Sequence, residues 1–243
     1  MGKASSRTVK RLAPEDRKAK ILAVARVVLR DVQFENFLPS TVADRCGVSE
    51  GTVYRYFPTK QDLLVSIAEE RMIEAMETEP VLDETQDIAT RLKAVILHSL
   101  YTVYDEPSIT RFIFVNARID SNYRSTKLYR LIAQFTRHTT EVVNQGIDGG
   151  VFRNDIEITV IRDVIFGAIE HQMWPYLRED KQFNVDLDAL ADRISTIIYC
   201  GLAKAPPVNI EVLSEALKRA RTAMSAVQDE LSFIGASNGV DQK

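Results

Sequence analysis

The sequence of 243 residues contains only two cysteines and no long apolar run. Cys46 and Cys200 have neither the number nor the spacing of a disulfide framework or a zinc site. No segment approaches the ~18 uninterrupted apolar residues that a membrane-spanning helix needs. The N-terminus, MGKASSRTVKRLAPEDRKAK, is basic but lacks the apolar core of a secretory signal. These absences predict a cytoplasmic, reduced protein that does not enter a membrane.

Glycine and proline are also sparse, which predicts long helices joined by short turns. Between Gly51 and Gly146 there is no glycine, and the prolines there are Pro58, Pro80 and Pro107. Apolar residues repeat at intervals of three and four along the chain, as in amphipathic helices, and we find no alternating strand pair and no internal repeat. The sequence therefore predicts an all-α fold with about ten helices.

The few breakers also predict where the later helices end. We expect a short helix carrying residues 112–119, and a longer one that breaks at Gly146. Two further helices run toward Pro175 and Gly201, and a last one falls within residues 210–231.

Constellations of catalytic or metal-binding residues are missing as well. His98, His138 and His171 fall in three different predicted helices, and no helix carries the paired spacing of metal ligands. The sequence has no glycine-rich phosphate loop, nucleophile elbow or Cys–His signature. We therefore predict neither an enzyme nor a resident cofactor.

The net charge of −3 conceals an uneven distribution. Residues 1–60 carry 12 Lys/Arg against 6 Asp/Glu, whereas residues 61–243 carry 19 against 28. A basic N-terminal quarter on an acidic remainder indicates that this quarter meets a polyanion. On charge alone a solvated basic tail is the alternative, so the motif within the quarter has to decide.

The segment 39–60, PSTVADRCGVSEGTVYRYFPTK, predicts two short helices joined by a tight turn. The first, over residues 40–46, ends at Gly47, which can supply the positive φ of a C-terminal cap. Ser49 can cap the second, over residues 50–57. Two short helices with a three-residue turn that contains glycine, placed after a longer helix, outline a helix-turn-helix.

The second short helix has side chains suited to a DNA groove. Val53 and Phe57, four residues apart, are predicted to face the core, which leaves the N-terminal end and one flank exposed. Gly51 allows the backbone to approach a groove closely. Thr52 can bond a phosphate or contact a thymine methyl group. The neighbouring tyrosine hydroxyls can reach phosphates, with ordinary packing as the alternative for either tyrosine alone.

The run GVSEGTVYRYFPTKQDLL, preceded by VADRC, resembles the DNA-binding domain of the tetracycline-repressor (TetR) family of bacterial transcription regulators. The resemblance covers roughly residues 15–65. It rests on the elements Val42–Ala43, Gly47–Val48–Ser49, Gly51–Thr52–Val53–Tyr54, Tyr56–Phe57 and Lys60…Leu63. The chain departs from the family pattern at Leu38–Pro39, where members usually have a threonine that caps the first motif helix.

The resemblance implies DNA contacts from both motif helices and from the start of the next helix. These positions are Ser40, Thr41, Ser49, Glu50, Gly51, Thr52, Tyr54, Arg55, Tyr56 and Lys60. Arg55 can read a guanine edge or contact a phosphate. The basic arm before Pro14 can reach a neighbouring groove, or it is a tail without contacts.

The resemblance also divides the chain into four parts. We expect a flexible basic arm at residues 1–14 and a DNA-binding domain at residues 15–62, with its motif at 38–57. A helical domain that binds a small molecule and dimerises follows at residues 63–205. Residues 206–243 form an additional helix with a polar tail.

In the family, the last two helices of the ligand domain form a four-helix bundle across a two-fold axis, and this chain looks similar. Gly167 and Ala168 would permit close approach of an apolar helix to its counterpart. The predicted dimer interface comprises Ile161, Ile165, Gly167, Ala168, Ile194, Ile197, Ile198 and Gly201. A core within one chain is the alternative for these residues.

The ligand domain further resembles TetR-type regulators of fatty-acid degradation, which release DNA on binding long-chain acyl-CoA. In those proteins a run like NARIDSN carries an arginine, which is Arg118 here. The candidate ligand-binding residues are Tyr101, Phe112, Phe114, Arg118, Phe135 and Trp174. The alternatives are ordinary core packing for the aromatic residues and a surface ion pair for Arg118.

These inferences predict a homodimeric repressor that reads a palindromic operator in double-stranded DNA. A small hydrophobic effector would release the repressor if it binds more tightly to the form in which the spacing of the two heads does not fit DNA. Long-chain acyl-CoA is the suggested example. The alternative is a helical small-molecule-binding or adaptor protein whose helix-turn-helix no longer binds DNA.

Overall fold

The computed structural model describes residues 13–178, 184–204, 214–215 and 217–225, and its regular elements there are helical. The nine α-helices of residues 13–204 are α1 (Pro14–Asp31), α2 (Pro39–Cys46), α3 (Glu50–Tyr56), α4 (Lys60–Glu77), α5 (Ile88–Asp105), α6 (Pro107–Val115), α7 (Lys127–Asp148), α8 (Ile158–Leu177) and α9 (Leu187–Leu202). A tenth helical stretch, within residues 214–225, belongs to a separate compact unit that begins at Lys204. The predicted all-α fold with about ten helices is confirmed.

The head, α1 to α3, forms where the local capping signals predicted it. Pro14 occupies the first turn of α1, and two acidic residues follow it there, which suits the positive end of the helix dipole. Gly47 ends α2 with a φ of +69°, and the Ser49 side chain caps α3 by accepting from the backbone N–H of Thr52. Leu38 precedes α2 without a side-chain cap, as its sequence indicates.

Helix α4 connects the head to the rest of the unit that ends at Ala203. Thr59 and Asp62 form a reciprocal capping box at its start, which fixes its first residue at Lys60 as predicted. Its N-terminal half contributes Leu63 and Ile67 to the core of the head. Its C-terminal half packs against α7. Helix α4 is therefore in contact with both parts of the unit.

The body is built around α5, which packs against α7, α8 and α9. Its apolar stripe includes Leu92, Ile96 and Leu100, and none of these three side chains is exposed. Ile165 of α8 and Ala191 of α9 complete the same core. A second core joins α6 to the head, because the ring of Phe112 packs edge-to-face on Phe34.

Several predicted helix ends are wrong by a turn or less. Helix α6 ends at Val115, and Ile119 lies in a separate 3-10 turn, where 76% of it is exposed. Helix α7 continues through Gly146, which is not a breaker here but a contact point. A Cβ at that residue would overlap the ring of the fully buried Phe152, so glycine allows the ring to lie directly on the helix.

The two last helices of the body also pass their predicted ends. Pro175 lies within the final turn of α8, which runs to Leu177, and α9 continues through Gly201 to Leu202. Pro175 has no N–H to donate to the carbonyl of His171 four residues earlier, and only Tyr176 and Leu177 follow it in the helix. The predicted helix at 210–231 is helical where it is described, and the rest of it and residues 1–12 of the basic arm lie outside the described residues.

Within the described ranges, no helix combines the length and hydropathy required to cross a bilayer. The same ranges contain no group of three or more acidic, histidine or cysteine side chains placed to hold a metal ion.

Candidate DNA-binding and effector sites

Helix α3 presents an exposed face at the surface of the head. Val53 and Phe57 are buried in the head core, as predicted, and hold the short helix in place. Glu50, Tyr54 and Arg55 are exposed on the opposite side. A short helix anchored by two apolar side chains leaves its polar flank free to enter a major groove.

The cap of α3 already occupies two of the predicted DNA-contact hydroxyls. Ser49 Oγ and Thr52 Oγ1 lie 2.9 Å apart, and Ser49 Oγ also accepts from the Thr52 backbone N–H at 3.2 Å. A phosphate contact from either residue would share a hydroxyl with this cap. Ser40 and Thr41, in the first turn of α2, are half-buried.

The aromatic residues of α3 differ in exposure. Tyr54 is exposed, whereas Tyr56 is half-buried and packs against the head core. The Arg55 guanidinium lies 5.4 Å from the centroid of the Tyr56 ring, a cation–π contact that limits the freedom of the arginine. Tyr54 and Arg55 are therefore the two larger side chains that α3 exposes most.

Gly51 has no internal role that the structure reveals. Apart from its chain neighbours and the backbone of its own helix, no atom of the described residues lies within 4 Å of the position that a Cβ would occupy, and its φ is not positive. A glycine that neither a turn nor a packing contact requires is consistent with close approach of another molecule to the backbone.

Lys60 is a predicted DNA contact, but in the structure its side chain already has a hydrogen-bond partner. Its Nζ donates to the backbone carbonyl of Glu35 at 3.0 Å, which ties the first residue of α4 to the 3-10 turn after α1. A phosphate contact from Lys60 would replace or share this bond.

Ion pairs that sequence reasoning missed connect α1 of the head with α4 and α6. Arg26 pairs with Glu74 and donates its Nε to Glu106 Oε1 at 2.8 Å, and Arg30 donates to the same oxygen at 2.7 Å. The hydrogen bond from Arg26 holds the pKa of the Glu74 carboxyl below its usual range. Glu106 is only 4% exposed, and its Oε2 has no hydrogen-bond partner among the residues that the structure describes. Glu106 directly precedes α6, so a buried carboxylate joins the head to that helix.

A cavity of about 370 Å³ lies in the body between α4, α5, α6, α7 and α8. Of the predicted ligand-binding residues, Phe114, Arg118 and Phe135 line it. The first belongs to α6, the second to the 3-10 turn after it, and the third to α7. The structure thus brings together three residues that the sequence separates by up to 21 positions.

The expectation that Tyr101, Phe112 and Trp174 also line this cavity is wrong. Tyr101 is on the exposed side of α5, and the ring of Phe112 is buried between α6 and the head. Trp174 lies behind the wall, with its ring edge-to-face on Phe114 at 6.1 Å. The error is one of helix phase, because an aromatic residue on an amphipathic helix has several neighbours to face.

Buried hydroxyl residues complete the lining, and the sequence analysis did not single them out. Ser99 Oγ donates to the carbonyl of Val95, and Thr102 Oγ1 donates to that of His98. Thr136 likewise donates to a carbonyl of its own helix, that of Ala133. Because each of these three hydroxyls donates within its own helix, the part of the lining that they form offers no hydrogen-bond donor to a ligand. The three-residue spacing of Ser99 and Thr102, which places both on one face of α5, is the sequence signal that could have predicted their shared position.

The edge of the cavity carries charge. Arg118 donates to Glu170 Oε2 of α8 at 2.8 Å, and its guanidinium lies 4.6 Å from the centroid of the Phe114 ring. Burial raises the pKa of the neighbouring Tyr123 hydroxyl, and the charge of Arg118 partly offsets that rise. Arg162 and Asp163 form a second pair at the same edge.

The predicted dimer interface divides into two sets. Ile161, Ile165, Ile194 and Ile198 are buried in the core of their own chain, so the intrachain alternative holds for them. Gly167, Ile197 and Gly201 are exposed, and Ala168 is half-buried. Val160 and Val164 of α8 are also about half exposed and lie on the same side of the helix as Gly167. An apolar exposed face of this kind on two adjacent helices is suited to a protein interface.

Comparison with known proteins agrees with the two-part organisation of this unit. The sequence profile described as "Bacterial regulatory proteins, tetR family" matches residues 21–67. A second profile, described as "YsiA-like protein, C-terminal region", matches residues 68–201, which is more than half of the chain.

Individual relatives are distant but extend over most of the chain. The fatty acid metabolism regulator protein of Bacillus subtilis (strain 168) is 23% identical over 186 residues, which are 75% of this chain and 94% of that protein. The structure of the transcriptional regulator FadR from Bacillus subtilis in complex with stearoyl-CoA has a TM-score of 0.62 at 22% identity and covers 75% of this chain and 98% of that one. A protein from Saccharomonospora viridis, solved in complex with choline, has a TM-score of 0.64 at 18% identity, with 79% and 100% covered. At these identities the structural likeness establishes the fold.

Proposed function

The chain belongs to the TetR family of bacterial DNA-binding transcription regulators, and we propose that it is a homodimeric repressor released from its operator by a hydrophobic ligand with an acidic head group. The observation that carries this proposal is the apolar cavity with Arg118 at its edge. Long-chain acyl-CoA is the first member of this ligand class to test.

DNA binding is assigned to the exposed flank of α3 and to the residues around it. The exposed Tyr54 and Arg55, together with the unobstructed backbone at Gly51, support insertion of α3 into a major groove. Two heads related by a two-fold axis would read a palindrome. The exposed apolar faces of α8 and α9 support a dimer of this symmetry.

The chemistry of the cavity supports an aliphatic effector. Much of the lining is aliphatic or aromatic, and the hydroxyls of Ser99 and Thr102 already donate within their own helix, which favours a hydrocarbon chain over a sugar or a nucleotide base. Arg118 at the edge can donate hydrogen bonds to a carboxylate or a phosphate. The stearoyl-CoA bound by the Bacillus subtilis FadR supports the same ligand class, although that protein is only 22% identical to this chain.

Helix α6 is the element through which the effector would act on the head. Phe114 and Thr110 of α6 line the cavity, and Glu106 at its start pairs with Arg26 and Arg30 of α1. A ligand that moves α6 therefore changes the support of the head. Release follows only if the ligand binds the displaced arrangement more tightly.

The test uses an operator duplex selected from random DNA and fluorescence anisotropy of the full chain. We expect palmitoyl-CoA to lower operator affinity, and Arg118→Ala to reduce this response at least several-fold while leaving affinity without ligand unchanged. Arg137→Ala is the matched control, because Arg137 pairs with Glu141 on the exposed side of α7. If acyl-CoAs and free fatty acids leave the operator complex intact, the ligand class is wrong, and if no duplex is selected, the repressor proposal is wrong.

A further inference from the structure

Both cations at the edge of the cavity are already paired in the described part of the chain. Four charged side chains line that edge, and they form two pairs, Arg118 with Glu170 and Arg162 with Asp163. The edge therefore carries no net charge. An acidic ligand has to compete with a carboxylate of the protein before it reaches either arginine.

The two ion pairs differ in the exposure of their carboxylates and in the elements that they join. Arg162 and Asp163 are neighbours on α8, and the Asp163 side chain is 69% exposed. Glu170 is 29% exposed, and its pair joins α8 to the 3-10 turn after α6. The Arg118 guanidinium is also held over the Phe114 ring and beside Tyr123. The two arginine side chains are equally exposed, at 36%, but Arg118 is held in one orientation over an aromatic ring, so Arg118 is the better anion site and Glu170 is its occupant.

From this geometry, and resting on the function proposed above, we propose that Glu170 is a specificity-determining residue that sets a minimum chain length for acidic effectors. Glu170 occupies on Arg118 the place that the head group of the ligand takes. An acidic head group that takes the same position on the guanidinium, at Nη1, has to displace Glu170, so burial of its chain has to supply the difference. An acid therefore needs a longer chain to reach a given affinity than it would need without Glu170.

The size of the threshold follows from the exposure of the pair. An ion pair near the protein surface, such as this one with both side chains about one-third exposed, changes affinity by up to about fivefold, and burial of one methylene group changes it about fourfold. Loss of the Glu170 charge should therefore tighten binding of an acidic ligand about two- to fivefold. That gain is equivalent to about one methylene group of chain length.

The chain contains its own reporter for the measurement. Trp174 is the one tryptophan in the sequence, and its ring packs edge-to-face against Phe114 in the cavity wall. Tryptophan fluorescence of the full chain is titrated with dodecanoate, with undecanoate and with the neutral 1-dodecanol. We expect Glu170→Gln to bind dodecanoate about two- to fivefold more tightly than the wild type, with dodecanol affinity unchanged. Because undecanoate is one methylene group shorter, its affinity for the variant should approach the affinity of dodecanoate for the wild type.

Two further variants separate displacement of Glu170 from a general change in charge. Asp163→Asn removes the other carboxylate of the edge, and we expect it to change dodecanoate affinity less than twofold. The double variant Arg118→Ala/Glu170→Gln should bind dodecanoate with the affinity of Arg118→Ala alone, because Glu170 acts through Arg118. Thermal unfolding of each variant verifies that the fold is retained.

The outcomes distinguish this proposal from the one on which it rests. If dodecanoate and dodecanol both bind and Glu170→Gln leaves their ratio unchanged, Glu170 has no role in specificity and the aliphatic effector stands. The same holds if Glu170→Gln strengthens dodecanoate binding equally with and without Arg118. If neither ligand binds any variant, the aliphatic effector is refuted, and the role of Glu170 with it.

Discussion

Replacement of Glu106 with glutamine should loosen the contact between α1 and α6. The carboxylate is almost fully buried and accepts from Arg26 and Arg30 through a single oxygen at 2.6–2.8 Å. Glutamine keeps the length of the side chain and an acceptor oxygen but removes the charge. Each charge-assisted hydrogen bond then becomes an ordinary one to a neutral acceptor.

We expect Glu106→Gln to lower the free energy of unfolding by less than the removal of one partner from a buried ion pair does, which costs about 3–5 kcal/mol. Arg26 keeps its partner Glu74, and 57% of the Arg30 side chain remains exposed to water, so neither cation is left buried and unpaired. Hydrogen bonds to charged groups contribute about 1.5–3 kcal/mol each, against about 1 kcal/mol for neutral ones. Two weakened bonds give an expected destabilisation of about 2 kcal/mol.

Urea unfolding at one fixed protein concentration measures this loss, since the stability of the proposed dimer would depend on concentration. The matched control is Asp31→Asn at the end of α1, whose carboxylate is 58% exposed and pairs at 3.1 Å with Arg45, itself 46% exposed. We expect the control to cost less than about 1 kcal/mol. The reasoning is refuted if Glu106→Gln destabilises the protein no more than Asp31→Asn does. On the proposed mechanism, Glu106→Gln should also reduce the effect of palmitoyl-CoA on operator affinity while palmitoyl-CoA binding is retained.

Three further predictions concern single residues. Gly51→Ala should stabilise the protein by up to about 1 kcal/mol, because alanine favours helix more than glycine does and its Cβ meets no neighbouring side chain. The same change should weaken operator binding, and an unchanged affinity in anisotropy titrations would show that Gly51 is not in the DNA interface. Gly146→Ala should destabilise by about 1–3 kcal/mol in urea unfolding, since its Cβ overlaps the Phe152 ring, and a gain in stability would contradict that packing. Burial lowers the pKa of His98 below 6.5, so the unfolded chain takes up the proton first and stability falls as pH drops below about 6.5. His98→Gln should flatten the decline measured between pH 7 and pH 5, by at most about 1.4 kcal/mol per pH unit, and a decline of unaltered slope would show that His98 is not its cause.

The head was predictable because its signals are local. Gly47, Ser49 and Thr59 cap helices within one turn of the chain, so the helix ends that they set follow from sequence alone. The body depended on contacts between residues far apart. Gly146 reads as a helix breaker unless the ring of Phe152 is known to lie against it.

The candidate sites divide in the same way. Phe112 and Phe114 are two residues apart on α6, yet one faces the head and the other the cavity, which the periodicity of a nine-residue helix does not resolve. Ile165 and Val164 are adjacent on α8, and the sequence analysis chose the one that the core of its own chain buries. Glu170 carried no signal, because its significance comes from Arg118, which lies 52 positions earlier in the chain.

Native mass spectrometry of the full chain with its selected operator duplex tests the central claim most directly, because one spectrum reports DNA, chain number and ligand together. Without ligand we predict two protein chains on one duplex. Addition of palmitoyl-CoA should convert this species into free duplex and a two-chain protein that carries the ligand. Ligand-bearing protein that remains on the duplex, or protein that never gains the mass of the ligand, would contradict the account of a repressor released by a hydrophobic acid.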